Sequence, residues 1–452
     1  MSGEATFELL RPLFGGSEAT TMFADRARIQ GMLDFEAALA RAEARLGVIP
    51  AAAAPAIAKA CRAELFDVAR LAIATTRAGN PAIPLVKQLT ALVAAENAEA
   101  ARYVHWGATS QDAIDTGMVL QLRPFLDLID RDLERLAGVL ARLADAHRAT
   151  PAVGRTWMQH ALPITFGLRA ACWLDAIERH RRRLGELRSR ALMLQFGGAA
   201  GTLAALGERG LAVAEALAAE LDLALPALPW HASRDRIAEV ATVLGLIIGT
   251  LGKIARDVSL LAQNEVGEAA EPAEEGRGGS STMPHKRNPV TAAIVLAAAI
   301  RAPGLVATML AAGVQEHERG LGGWHAEWET LPELCMLAAG ALRQMTDTID
   351  GLEIDVSRMR ANLDTTHGQI LAEAVMMALG DRIGRLAAHD LVEEGCRRAA
   401  ADNRHLKEVL AEEPRISRHL SAADLDRLFD PLNYIGAASS FVDRVLARSR
   451  RK

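Results

Sequence analysis

The sequence predicts an all-α protein of three helical domains built around a central bundle of long helices. Three observations carry this expectation. Ala, Leu, Arg and Glu dominate the 452 residues, half of which are hydrophobic, whereas β-branched or aromatic residues alternating with polar ones are almost absent. Between Pro229 and Pro272 no proline intervenes, and Ile237, Val240, Leu244, Ile247, Leu251, Ile254, Val258 and Leu261 recur at spacings of three and four. That stripe describes one helix of roughly 30 residues, about 45 Å long. Proline-free stretches after Pro124, Pro163 and Pro332 are long enough for further extended helices, and several of these side by side make a bundle.

Taken in chain order, helical periodicity stops near Tyr103 and is interrupted near Asp350 by "DGLEIDVSRM". The expected domains are an N-terminal helical domain (1–103), a central long-helix domain carrying the catalytic loop (104–349) and a C-terminal helical domain (350–452). Gly245, Gly249 and Gly252 lie on the long stripe and permit close helix approach. Small residues over such a length suggest burial on several sides, as between identical subunits. Further on, Asn288, Pro289 and then "VTAAIVLAAAIRA" read as an N-cap, a proline at the first helical position and a helix closed by Pro303-Gly304.

Composition narrows the function. A net charge of -5 gives no global attraction to nucleic acid or anionic lipid, so affinity for anions is expected to be local. Cys61, Cys172, Cys335 and Cys396 form no C-x-x-C pair, which argues against a zinc site or disulfide framework and for a reducing, cytoplasmic compartment. The first residues, "MSGEATFELLRPLFGG", carry an early acid and no long apolar run, so no secretory signal is expected, and no uninterrupted apolar stretch reaches the length of a membrane span. Neither a nucleotide-phosphate loop, nor a dinucleotide fingerprint, nor an H-E-x-x-H pair is present, so neither a bound nucleotide, nor a Rossmann cofactor, nor a metal site of that paired-histidine type is supported.

Four segments concentrate polar chemistry. In "GRGGSSTMPHKRNPV" (276–290), Gly276, Gly278 and Gly279 favour a mobile lid bearing Ser280 and Ser281, and His285, Lys286 and Arg287 precede a helix start. Free N–H groups and the positive dipole end there read as an anion site. In "YVHWGATSQDAIDTG" (103–117), Thr109 and Ser110 either cap a helix or hold a carboxylate, with His105 beside them as a proton donor. In "GRTWMQHALPITFG" (154–167), Arg155, Thr156, Gln159 and His160 precede Pro163 and Thr165 at another expected helix start. In "EHERGLGGWHAEW" (316–328), Arg319 is a carboxylate partner.

"GSSTMPHKRNP" resembles the signature of the fumarase/aspartase superfamily, whose members eliminate or add across a carbon-carbon bond next to a carboxylate. "GATSQDAIDT" and "RTWMQHALPIT" resemble its two other active-site segments, and the matches stand in family order over residues 77–319. The resemblance implies the L-aspartase-like fold and a homotetramer whose long helices form a shared bundle. It also implies active sites assembled from three chains, and no cofactor. It makes Ser280 the group exchanging the carbon-bound proton, and Lys286 and Asn288 the electrophilic partners of the substrate carboxylate. His105 is placed in the site without a role. Arg77, Thr109, Ser110, Thr156, Gln159, Ser281, Met283 and Arg319 are placed on the substrate.

Within the superfamily, "AGNPAIPLVKQLT", "VHWGATSQDAIDTGMVLQLR" and "GLGGWHAEWETLPEL" most resemble the lactone-forming carboxymuconate cycloisomerases. The nearest competitor is the adenylosuccinate lyase branch, which carries a His-Asp pair where this chain has Ala78 and Gly79 after Arg77, and a histidine where it has Trp157. Both departures remove a proton donor. Expelling a nitrogen leaving group requires an acid, whereas a carboxylate is already a weak base, so the departures fit a cycloisomerase. The implied reaction converts 3-carboxy-cis,cis-muconate to 4-carboxymuconolactone in protocatechuate breakdown, on a small tricarboxylate substrate with no nucleic acid or membrane partner. The alternatives are an eliminating lyase that releases fumarate and a catalytically silent helical scaffold.

Overall fold

The computed structural model describes residues 9–15, 17–273, 278, 279, 283 and 286–450. Five long helices dominate: Ser110–Ala146, Phe166–Ala191, Asp235–Leu261, Val290–Ala312 and Gly323–Asp350. By compactness the chain falls into two units, one of residues 1–133, 180–252 and 294–343, the other of residues 134–179, 253–293 and 344–452, and each long helix contributes to both.

In the first unit the expected stripe forms the Asp235–Leu261 helix, with Ile237, Val240, Leu244, Ile247 and Leu251 buried. A Cβ on Gly245 would stand 2.7 Å from Val306 and one on Gly252 2.6 Å from Ala299, so this helix meets the Val290–Ala312 helix through glycine, whereas Gly249 faces open space. The Asp25–Arg45 helix crosses the Ser110–Ala146 helix in the same way: a Cβ on Gly31 would be 2.6 Å from the Gly117 carbonyl oxygen. That crossing brings Glu36 to the residues preceding Ser110.

Three proline readings are corrected. Pro124, Pro303 and Pro332 lie inside helices instead of bounding them, and the last helix runs on to Ala312. A proline interrupts one backbone bond and crowds the preceding turn. Buried flanks hold these helices through the break: Leu122, Phe125 and Leu126 around the first, Ala302 and Met309 around the second, Leu331, Leu334 and Cys335 around the third. Asp235–Leu261 and Val290–Ala312 are long and apolar enough to cross a membrane by length and composition. Most of the first is buried inside the protein, while the second exposes Ile300 and Leu310.

In the second unit the residues before the expected helix start in 154–167 form a β-hairpin, β1 (Pro151–Thr156) and β2 (Gln159–Thr165), paired from Pro151↔Thr165 to Thr156↔Gln159 with an irregularity between Gly154 and Arg155. Its two-residue turn, Trp157 at φ +52° and Met158 at φ +64°, needs the left-handed backbone that glycine and asparagine usually supply. That substitution hid the turn from a sequence reading. The helix begins only at Phe166, where the Thr165 hydroxyl accepts the Leu168 N–H at 3.1 Å. The same unit holds the Ala372–Ile383 and Arg385–Ala401 helices, packed around Val375, Leu379, Val392, Leu406 and Leu410.

Candidate active site

The first unit gathers one set of expected residues at the start of the Ser110–Ala146 helix. Thr109 precedes it, and the Asp112 carboxylate reaches back to accept the Thr109 N–H at 3.1 Å. Asp112, fully buried, also accepts the Gly197 and Gly198 N–H groups at 3.0 and 2.9 Å and bonds His231 Nε2 at 2.7 Å. One residue earlier, Gln111 donates to Asp115 at 3.1 Å and to the His231 carbonyl at 2.9 Å, and its amide oxygen accepts Arg319 Nε at 2.9 Å. Arg319 also donates to the Ala199 carbonyl at 3.1 Å. The expected carboxylate partner is thus held by a buried network, with the remainder of its guanidinium left at the exposed surface.

Below this turn, Arg234 donates to both oxygens of Asp115, at 2.6 and 3.1 Å, and to Glu327 at 2.9 Å through Nε, and Trp324 Nε1 reaches Asp115 at 3.0 Å. All three ionised side chains are no more than 2% exposed. Burial opposes the Arg234 charge, but Asp115 and Glu327 outweigh it and raise the guanidinium pKa further.

His105 stands just before this helix at φ +60°, its Nδ1 2.6 Å from Glu36 Oε1. Burial pulls its pKa down, but the Glu36 charge, the Glu36 hydrogen bond and the Asp112 charge together leave it above the ordinary histidine value. Arg77, in the last turn of the Val68–Ala78 helix, lines a cleft of about 640 Å³ with Asp67, Arg70, Ile73, Ile83 and Lys87.

A second cluster belongs to the second unit. Arg155 grips the fully buried Glu268 with two bonds of 3.0 and 2.6 Å, Asn362 donates to Glu268 at 2.8 Å, and Arg169 stands 3.8 Å away. Burial lowers the His160 pKa, Arg155 lowers it further, and Glu268 opposes them. Thr156 and Gln159 flank the hairpin turn and are exposed, outside this cluster.

The loop residues follow in the same unit. Ser280, Ser281 and His285 lie outside the described residues. The exposed Lys286 donates its N–H to the Met283 carbonyl at 3.1 Å. Asn288 donates from its backbone at 2.8 Å and its side chain at 3.1 Å to the Gly278 carbonyl, where φ is +68° and a Cβ would lie 2.7 Å from the Asn288 carbonyl oxygen. Glycine is therefore required at 278. The expected anion site at the following helix start is corrected: Glu271 already occupies it, accepting the Thr291 and Ala292 N–H groups at 3.1 and 2.7 Å. The amides satisfy a side chain of the protein itself.

Glu36, Asp112, His231, Glu268, Glu271 and Asn362 were not anticipated as organisers of these clusters. Asp112 had a local signal, because an acid three residues after Thr109 is a capping-box pattern. The others act across 69 to 119 residues, or 20 in the case of Glu271, where no local spacing points.

Residues 16–304 match the family model described as lyase, and residues 368–445 that of the adenylosuccinate lyase C-terminus. The chain belongs to the fumarase/aspartase superfamily of lyases. Among the relatives of this superfamily member, a 3-carboxy-cis,cis-muconate cycloisomerase of Pseudomonas aeruginosa is 62% identical, over 99% of this chain and 97% of that protein. One from Bradyrhizobium diazoefficiens is 57% identical over 97% of each. The crystal structure of 3-carboxy-cis,cis-muconate lactonizing enzyme from Pseudomonas putida matches with a TM-score of 0.94 at 55% identity, covering 98% of this chain and 99% of that one. The all-α fold and the superfamily read from the three motif segments both hold.

Proposed function

We infer that the chain is an enzyme that converts 3-carboxy-cis,cis-muconate to 4-carboxymuconolactone. The observation that carries this reading is end-to-end similarity to cycloisomerases, at 62% identity for the Pseudomonas aeruginosa protein. The chain's own residues fit it, since Trp157 and the Ala78-Gly79 pair stand where an eliminating lyase needs proton donors.

In this mechanism one carboxylate oxygen of the substrate bonds to a double-bond carbon, and the carbon alpha to another carboxylate gains a proton. No electrons leave the molecule. Ser280 delivers the proton, and its alkoxide is stabilised by loop amides and by Lys286. Lys286 and Asn288 receive the charge that builds on the enediolate-like dianion. Thr109, Ser110, Thr156, Gln159 and Arg319 hold the remaining carboxylates, with Arg77, Ser281 and Met283 completing the substrate surface. The exposed apolar side of the Val290–Ala312 helix supports assembly with identical chains, and a homotetramer in the cytoplasm, acting without a cofactor in the protocatechuate branch of the β-ketoadipate pathway, is the full reading.

Ultraviolet absorbance tests it. Metal-stripped protein mixed with 3-carboxy-cis,cis-muconate should bleach the conjugated diene and yield 4-carboxymuconolactone by NMR, and Ser280→Ala should abolish turnover while keeping the fold. Fumarate release from a succinyl-amine, without lactone formation, would instead establish an eliminating lyase.

A further inference from the structure

The Glu36–His105 contact is not used by the mechanism above. Glu36 is 1% exposed on the Asp25–Arg45 helix, and its Oε1 meets His105 Nδ1 at 2.6 Å, while 17% of the His105 side chain stays open to solvent. His105 holds a left-handed backbone at φ +60°, a conformation that residues with a side chain seldom adopt. Behind Glu36, Glu43 is fully buried on the same helix, and neither of its oxygens is hydrogen-bonded among the described residues.

We propose that Glu36 is a positioning residue: it holds His105 by Nδ1 as a doubly protonated cation whose Nε2–H grips a substrate carboxylate, so that the histidine binds and does not transfer a proton. The proposal rests on the reading that His105 lines the polycarboxylate site. A carboxylate on one imidazole nitrogen fixes ring orientation and makes the other N–H a charge-assisted donor. A reaction that moves its proton through Ser280 needs no second acid, and a trianionic substrate rewards a fixed cation.

The charged and titratable groups around the pair act together. Glu36 and Asp112 both favour the imidazolium against the opposing effect of burial. Asp112 is itself bonded to His231. Glu43 is pushed up to about 9 by burial and then by Glu36, against the pull of Arg209. It is therefore neutral at physiological pH and adds no competing charge. The buried Cys61 thiol is pushed up by burial and then by Glu36 and Asp34, against Arg41, and stays neutral too. Because the His105 pKa is raised, its cation is complete at low pH and is lost as pH rises through the raised value.

The test uses full-length protein with labelled histidine, His105 being assigned by the signal lost in His105→Gln. In Glu36→Gln, His105 should titrate at lower pH. Calorimetric affinity for tricarballylate, an unreactive tricarboxylate, should fall roughly tenfold at a pH between the variant and wild-type His105 titration midpoints and little below both. KM for carboxymuconate should rise by a similar factor, with kcat within about twofold, and Glu36→Asp should recover part of each effect. An unchanged His105 titration overturns the proposal, as does a fall in kcat at constant KM. If wild-type protein forms no lactone, the functional reading fails, but titration and tricarballylate binding still decide the role of Glu36. If Glu36→Gln does not fold, Glu36→Asp carries the same measurements with smaller expected shifts.

Discussion

In the first unit one cation, Arg234, is buried between two acids, Asp115 and Glu327; in the second, one acid, Glu268, is buried between two cations, Arg155 and Arg169. The first arrangement is dry on every side, with each side chain no more than 2% exposed, whereas the arginines of the second keep 21% and 15% of their side-chain surface. The difference separates two uses of a charge cluster. A cation whose three nitrogens are all engaged by buried acids ties helices together and offers little to a ligand. A buried acid under two part-exposed arginines leaves excess positive charge at a surface, which suits a site that receives carboxylates.

Removing the central charge of each cluster tests that distinction. Arg234→Leu strands two acids in a dry interior and should cost about 3–5 kcal/mol in urea unfolding. The loss should be larger at pH 8 than at pH 5. Burial already raises the Glu327 pKa, with Asp115 adding to it and Arg234 opposing, so removing Arg234 raises it further. A raised acid favours the folded state at low pH and loses that advantage as pH rises. Glu268→Gln should cost less, about 1–3 kcal/mol, because its arginines can turn to water. Equal losses in the two variants would break the comparison.

Glu43 supplies the third case, an acid buried with no bonded cation. Its carboxyl is raised to about 9, so its contribution to stability is complete below about 4.5, the ordinary glutamate value, and is lost as pH climbs toward 9. Glu43→Gln should be near neutral at pH 4 and increasingly stabilising from there to pH 9, giving a flatter profile of Tm against pH. A variant profile parallel to that of the wild type would remove Glu43 from the comparison.

Much of the helical architecture was legible because its signals are local. Ile237 through Leu261 repeat at helical spacing, and the helix found there is 27 residues long. Thr109, Ser110, His105 and Arg319 were identified from motif segments, and they gather at one helix start because those segments close on Asp112 and Gln111. What failed were inferences from a single residue type. Proline was read as a boundary at 124, 303 and 332, but packing on both sides outweighed one lost bond. The Trp157–Met158 turn lacked the glycine or asparagine that announces a hairpin. The cationic run before Val290 was read as an open anion site, although Glu271, 20 residues away, supplies the anion.

By itself the sequence determined the all-α class, the long-helix stripe, the superfamily and where the polar segments lie, because each is written in spacing or in a contiguous motif. Only the tertiary structure decided which charges meet: Glu36 with His105, His231 with Asp112, Arg234 between Asp115 and Glu327, Arg155 on Glu268. The physical reason is that a buried charge is tolerated only beside its partner, and the partner is chosen by which helices pack together, a choice that no local pattern in the chain records.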